Sequence, residues 1–280
     1  GMSVATEYYA PAWARVMGDV DLLTPPADVE RAAAALDRLG YVADPREKLE
    51  GLHHHLPAVR HPNCGTILEL HHGLFPPDSI PAGLLPFIDN EWPDHTVESA
   101  IDDTPVLRFT PAFQLAYSIA HWAIERKWPT SVFPFIDAAY IARDPTLSWT
   151  HFQTWLDEDE WFATCAALML TWLTDNKLVD VPPAIVAQAQ SSRMQFGKHG
   201  FRGMRWLMQS LPLQGRDRAL GVLNHRAART AWRSMLTPES MGSVPTAFGQ
   251  ALQARITPAR ISLLRAIRDK ARALGVRRTE

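Results

Sequence analysis

The segment Gly18–Leu23 constrains this chain most. Asp19 and Asp21 alternate there with Val20 and Leu22. Period-two alternation predicts a β-strand, and it places both carboxylates on the face opposite the aliphatic side chains. Their Cα atoms would lie about 7 Å apart. Pro25 and Pro26 end the strand, because proline has no N–H to give to a ladder. A helix is predicted over Asp28–Leu39, where Val29, Ala32, Ala33, Leu36 and Leu39 form one apolar stripe. Gly40 stands where a helix C-cap belongs. Residues 3–14 are expected to form a short helix ahead of the strand.

Two further strands are predicted at His53–Arg60 and Thr66–His72, joined by a loop over His61–Gly65. Pro, Asn and Gly in that loop fit a hairpin connection. In the second strand Ile67, Glu69 and His71 share a face. Glu69 can then bring a third carboxylate to within about 5 Å across a ladder. Three converging carboxylates stay ionised together only beside cations. Mg²⁺ suits such oxygen donors. Two ions about 3.5–4 Å apart would serve an in-line displacement. Asp-x-Asp by itself equally fits a solvated strand end, so the pattern around it matters.

Residues 73–105 are rich in proline and are expected to be irregular. Beyond them the periodicity turns helical. Thr110 is a suitable N-cap and Pro111 a suitable first helical residue. Helices are predicted at Ala112–Trp128, Val132–Ala142, His151–Asp157 and Glu160–Asp175, then from Pro182-Pro183, and last over Pro258–Leu274. This organisation divides the chain into an α/β core at 1–105 and a helical domain at 106–280, basic from about residue 187.

Charge is unevenly distributed. Residues 1–110 hold 7 basic and 17 acidic side chains, whereas residues 187–280 hold 17 and 4. The two ends offer different surfaces, or attract each other. With 46% hydrophobic and 21% charged residues, the chain is composed like an ordinary soluble protein. No apolar run approaches the ~20 residues of a membrane span. No signal peptide is visible, and Cys64 and Cys165 match no disulfide or metal spacing. A cytoplasmic location follows as the expectation. Gly1 reads as a remnant of tag removal, with Met2 as the native start.

The surrounding pattern resembles a known family. Met17-Gly18-Asp19-Val20-Asp21-Leu22-Leu23 is similar to the aspartate strand of the DNA polymerase β-like nucleotidyltransferase superfamily. More narrowly, the chain resembles the bacterial "uncharacterised nucleotidyltransferase" family. Arg15 precedes the aspartates, and Leu39-Gly40-Tyr41 follows the helix. Next come His53-His54-His55-Leu56-Pro57 and Leu68-Glu69-Leu70-His71-His72. Farther on lie His121 and Phe135-Ile136-Asp137-Ala138-Ala139. The likeness runs over roughly residues 8–180.

The resemblance implies an α+β fold, a small mixed β-sheet with flanking helices followed by a helical C-terminal region. It implies Mg²⁺-dependent transfer of a nucleoside monophosphate from an NTP, ATP being the expected one, to an acceptor hydroxyl with release of pyrophosphate. Asp19 and Asp21 would hold both of two Mg²⁺ ions, and Glu69 the catalytic one. Arg15, His55, His71 and His121 become candidates for binding nucleotide or substrate. One element is missing. The superfamily's Gly-Ser or Gly-Gly turn, whose N–H groups cradle the triphosphate, should fall about ten residues before the aspartates. Residues 2–14 contain neither glycine nor lysine. Either the natural start lies further upstream, or the chain is a catalytically inactive relative that binds a nucleotide or an anionic partner.

Other features weigh less. The histidines with Glu69 could hold Zn²⁺, but no His-Glu-x-x-His is present. His71 could instead stand beside Glu69 as a supporting or substrate contact, and His121 could be a half-buried packing residue. Asp137, in an apolar helix, is expected to pair with an arginine or cap a local group. Most tryptophans should be core residues. Arg193–Arg233 holds nine basic residues against Asp217 alone, a stretch able to grip phosphates. It carries no nucleic-acid motif, so the expected partners are an NTP and an unidentified small-molecule or protein acceptor.

Overall fold

A computed structural model of the chain describes residues 1–44, 53–76, 92–125 and 133–191. All lie in one compact unit, Gly1–Gln195. The basic stretch Arg193–Arg233, its Trp206 and Trp232, and the helix expected at Pro258–Leu274 fall outside the described residues.

The sheet has four short strands. They are β1 (Val20–Leu23), β2 (Val42–Ala43), β3 (Val59–Arg60) and β4 (Ile67–His71), in the spatial order β1-β4-β3-β2. β1 and β4 are parallel, whereas β4–β3 and β3–β2 are antiparallel. The fold is thus the small mixed sheet with flanking helices that the resemblance implied. β1 begins at Val20, two residues later than the alternation suggested. The expected hairpin forms around residues 61–66, but its first arm is regular only at Val59–Arg60. Before that it touches β4 through a single bridge, His55 to His71.

Between β1 and β2 runs helix α2 (Val29–Arg38). Gly40 adopts φ +87°. Its N–H donates to the Asp37 carbonyl and that of Tyr41 to the Leu36 carbonyl, which is the Schellman arrangement. α2 lies against β4, whose Leu68 and Leu70 are buried on that face. Ile67, Glu69 and His71 point the other way, as period two requires.

Residues 96–109 correct the expectation of an irregular segment. β5 (Thr96–Ile101) and β6 (Thr104–Phe109) form an antiparallel hairpin. Its turn is Asp102-Asp103, with φ +46° and +65°. A two-residue turn with both centres left-handed matches the right-handed twist of the strands, and aspartate tolerates that region.

The helical layer consists of α3 (Pro111–Glu125), α4 (Phe133–Ile141), α5 (Trp149–Glu158), α6 (Glu160–Asp175) and α7 (Pro183–Ser191). Thr110 stands at the start of α3, and its carbonyl accepts the Gln114 N–H. The expected side-chain cap is absent, however, because the buried Thr110 hydroxyl has no partner. Ser148 and Asp159 do cap α5 and α6 through their side chains. α6 is buried nearly all round, from Trp161 to Leu173, as a central core helix should be. Trp122 and Trp155 join Phe113, Phe152 and Phe162 in that core. Each such side chain contributes about 1.5–3 kcal/mol on burial. Among the described tryptophans, Trp13 is 81% exposed.

The N-terminal helix α1 (Met2–Tyr8) ends sooner than expected and is followed by a 3₁₀ turn at Ala12–Ala14. Its last residues fasten it to the rest. Glu7 accepts from Ser99 and meets Arg108 of the hairpin, and the Tyr8 hydroxyl donates to Asp144.

Candidate functional site

The parallel register of β1 and β4 sets Asp21 directly beside Glu69. Both side chains leave the sheet on the face opposite Leu68 and Leu70, and two residues along β4 His71 does the same. The His71 Nε2 atom comes to 3.4 Å from Asp21 Oδ1 and 3.3 Å from Glu69 Oε2. One ligand-capable atom from each of these three residues lies within 4.8 Å of the other two. Exposure falls across the group, from 45% for the Asp21 side chain through 23% for Glu69 to 12% for His71. The site is therefore open at Asp21 and closed at His71.

A collar of imidazoles surrounds His71. Its ring centroid lies 4.8 Å from that of His54 and 5.0 Å from that of His55. His55 Nδ1 is 2.8 Å from the Leu56 carbonyl. A carbonyl only accepts, so Nδ1 donates, and in the neutral ring Nε2 is the nitrogen with the lone pair. His121 arrives from α3 beside Tyr117, whose ring packs on Phe75. It is near enough for its charge to act on both Asp21 and His54.

The electrostatics reflect this crowding. Burial works to raise the Asp21 carboxyl, but His71 and then the chain's amino group outweigh it and hold Asp21 below its ordinary range. Burial pushes Glu69 up; His55 pulls it down, and the Asp19 and Asp21 charges push it further up. Burial works to lower His71, yet the two carboxylates raise it. His54 is driven down to about 3, first by burial and then by His71, His55 and His121. The two carboxylates thus favour the protonated form of His71.

Not every expected residue joins the group. Asp19 lies just ahead of β1 and is exposed. Its charge reaches Glu69, but its carboxylate is not one of the three converging groups among the described residues. Arg15 is engaged elsewhere, paired with Asp137. That contact meets the expectation that Asp137 would find an arginine. The chain's first residue also abuts the site, since a Cβ on Gly1 would sit 3.9 Å from Asp21 Oδ2. His54 is the residue the sequence did not single out. Its only sequence signal was membership of the His53-His54-His55 run.

The donor set fits a divalent cation. His71 Nε2 is buried and has no well-formed hydrogen bond, although two carboxylate oxygens flank it. A buried nitrogen in that position, facing two anionic oxygens, is a donor suited to a metal ion.

The profile of a family described as "uncharacterised nucleotidyltransferase" matches residues 1–176. The chain belongs to this family. The match spans the whole site, from the segment before β1 to α6, and nucleotidyl transfer is accordingly its general activity. No curated protein and no solved structure matches this nucleotidyltransferase significantly. Among the described residues no helix is long and apolar enough to cross a membrane.

Proposed function

We propose that this nucleotidyltransferase moves a nucleoside monophosphate from an NTP, ATP in the first instance, to a hydroxyl of a small-molecule or protein acceptor in the cytoplasm, and that it needs a divalent cation to do so. The observation that carries the reading is the pairing of Asp21 with Glu69 across the β1–β4 ladder, with the buried His71 nitrogen between their carboxylates.

Asp21, Glu69 and His71 would hold the cation, and Asp19, outside the converging group, would add its charge from the open side. Mg²⁺ is the ion that the carboxylates alone would select. When bound, divalent ions neutralise the triphosphate and polarise the oxygens that exchange at the α-phosphorus. Glu69, its carboxyl shifted upward, is suited to take the proton from the acceptor hydroxyl as that oxygen attacks. The new bond is acceptor oxygen to α-phosphorus, and the bond broken is that to the pyrophosphate oxygen. His55, with a free Nε2, and His121 lie around the group, where they can contact the sugar or phosphates. Arg15, committed to Asp137, supports the strand in place of a direct phosphate contact.

A second reading, a silent relative that only binds nucleotide, draws support from one feature. Residues 2–8 are helical, and no glycine turn lies between residues 2 and 14. Calorimetry with each NTP, with and without divalent ion, tests the proposal. Metal-dependent NTP binding that is lost on Asp21→Asn is the expected result. Nucleotide binding indifferent to both metal and Asp21 would select the silent relative.

A further inference from the structure

The geometry points to a nitrogen donor at the metal position: we infer that His71 Nε2 is a direct ligand alongside Asp21 and Glu69, so that the site prefers a divalent first-row transition ion over Mg²⁺. The inference deepens the proposed function, on whose assignment of the metal site it rests.

Three observations support it. His71 Nε2 sits at nearly equal distances, 3.4 and 3.3 Å, from Asp21 Oδ1 and Glu69 Oε2. Those separations are too short for a water molecule to lie between, yet the atom is buried without a well-formed hydrogen bond. Second, the His55–His71 bridge fixes the main chain at His71, and the ring itself packs against those of His54 and His55. A ligand fixed in this way loses little freedom on coordination. Third, Asp19, which would have made an all-oxygen set, is exposed and apart from the converging atoms.

Ligand chemistry then decides the ion. Mg²⁺ demands oxygen donors in near-ideal octahedral array and parts reluctantly with its water. Imidazole favours the transition ions, whose affinity for a mixed nitrogen and oxygen set rises along the series from Mn²⁺. Replacing one carboxylate by an imidazole also leaves the site one negative charge poorer. That weakens the purely electrostatic hold on which Mg²⁺ depends.

Mn²⁺ is the probe, because it is paramagnetic and reports its own ligands. The full-length protein is titrated with Mn²⁺ and with Mg²⁺ by calorimetry. The bound Mn²⁺ is then examined by electron spin-echo spectroscopy, in natural-abundance protein and in protein labelled with ¹⁵N-histidine. Expected are one tight Mn²⁺ per chain, bound at least tenfold more tightly than Mg²⁺, and a directly coordinated histidine nitrogen whose modulation changes with the label. His71→Gln should abolish that modulation and remove the preference. The wild-type labelling result stands even if His71→Gln fails to fold. Bound Mn²⁺ without a histidine nitrogen, a nitrogen signal persisting in folded His71→Gln, or equal affinity for the two ions would overturn the inference. Should the nitrogen-ligated Mn²⁺ be present while no NTP binds, the proposed function fails and the ligand assignment survives.

Discussion

Arg15 grips Asp137 in a fork, with Nε 3.0 Å from Oδ1 and Nη2 2.8 Å from Oδ2. The Tyr9 hydroxyl donates to the same Oδ1 at 2.6 Å. Only 15% of the arginine side chain and 8% of the aspartate side chain are exposed. The contact joins residues 122 apart in sequence and anchors the approach to β1 on the helical layer. Planar two-point pairing of this kind is what guanidinium does best.

Breaking the pair from one side strands a buried charge. Arg15→Met and Asp137→Leu should each destabilise the fold by roughly 3–5 kcal/mol, and the double substitution should recover much of that loss. Urea unfolding of the three variants gives the coupling energy. If the losses simply add, the pair does not act as a unit.

Gly40 tests the α2 cap. Its φ of +87° is left-handed, and the nearest atom to an added Cβ is 4.0 Å away. The cost of Gly40→Ala is therefore conformational, about 1–2 kcal/mol. Gly18, where an added Cβ meets nothing within 4 Å, should accept alanine with a change below about 0.5 kcal/mol. Thermal unfolding of the two variants side by side checks the contrast.

Much of this fold is legible in the residues themselves. Val20 and Leu22 alternate cleanly enough to reveal β1, and Gly40 marks the end of α2. The apolar runs of α3 and α6 follow from their burial in the core. The β5–β6 hairpin escaped because its turn is Asp102-Asp103 and contains no glycine, and because the preceding prolines suggest irregularity. At the site, period two set the face that Asp21 takes on β1 and the face that Glu69 takes on β4. It placed His71 on the same face, but it could not say that this ring points between the carboxylates. That depends on the parallel register of β1 with β4 and on the path of residues 53–55, both of which are long-range. The same limit applies to Arg15. The resemblance made it a candidate for binding nucleotide or substrate, and only the tertiary fold reveals Asp137 as its partner.

Asp144 supplies a pH-dependent contribution. Burial works to raise its carboxyl, but hydrogen bonds from the Thr146 side chain and N–H, and then from Tyr8, outweigh it and depress the value. A depressed carboxyl stabilises the folded state above its unfolded value of about 3.9, and that stability is lost as pH falls through the folded value. Asp144→Asn should therefore be less stable than wild type at pH 7, by under about 1 kcal/mol because the group is partly solvated. The gap should close below about pH 4. Unfolding curves at pH 7 and pH 3 measure it.

Nucleotidyl transfer is tested most directly by following the α-phosphate. Protein supplied with a divalent ion and an extract of its source cells is given ATP labelled at either the α- or the γ-phosphorus. If nucleotidyl transfer takes place at this site, α-label enters an acceptor, γ-label leaves in pyrophosphate, and Asp21→Asn or Glu69→Gln lowers the transfer by about 100-fold or more, the equivalent of several kcal/mol. Transfer of the γ-label, or α-label transfer that is unchanged in folded Asp21→Asn and Glu69→Gln, would contradict it.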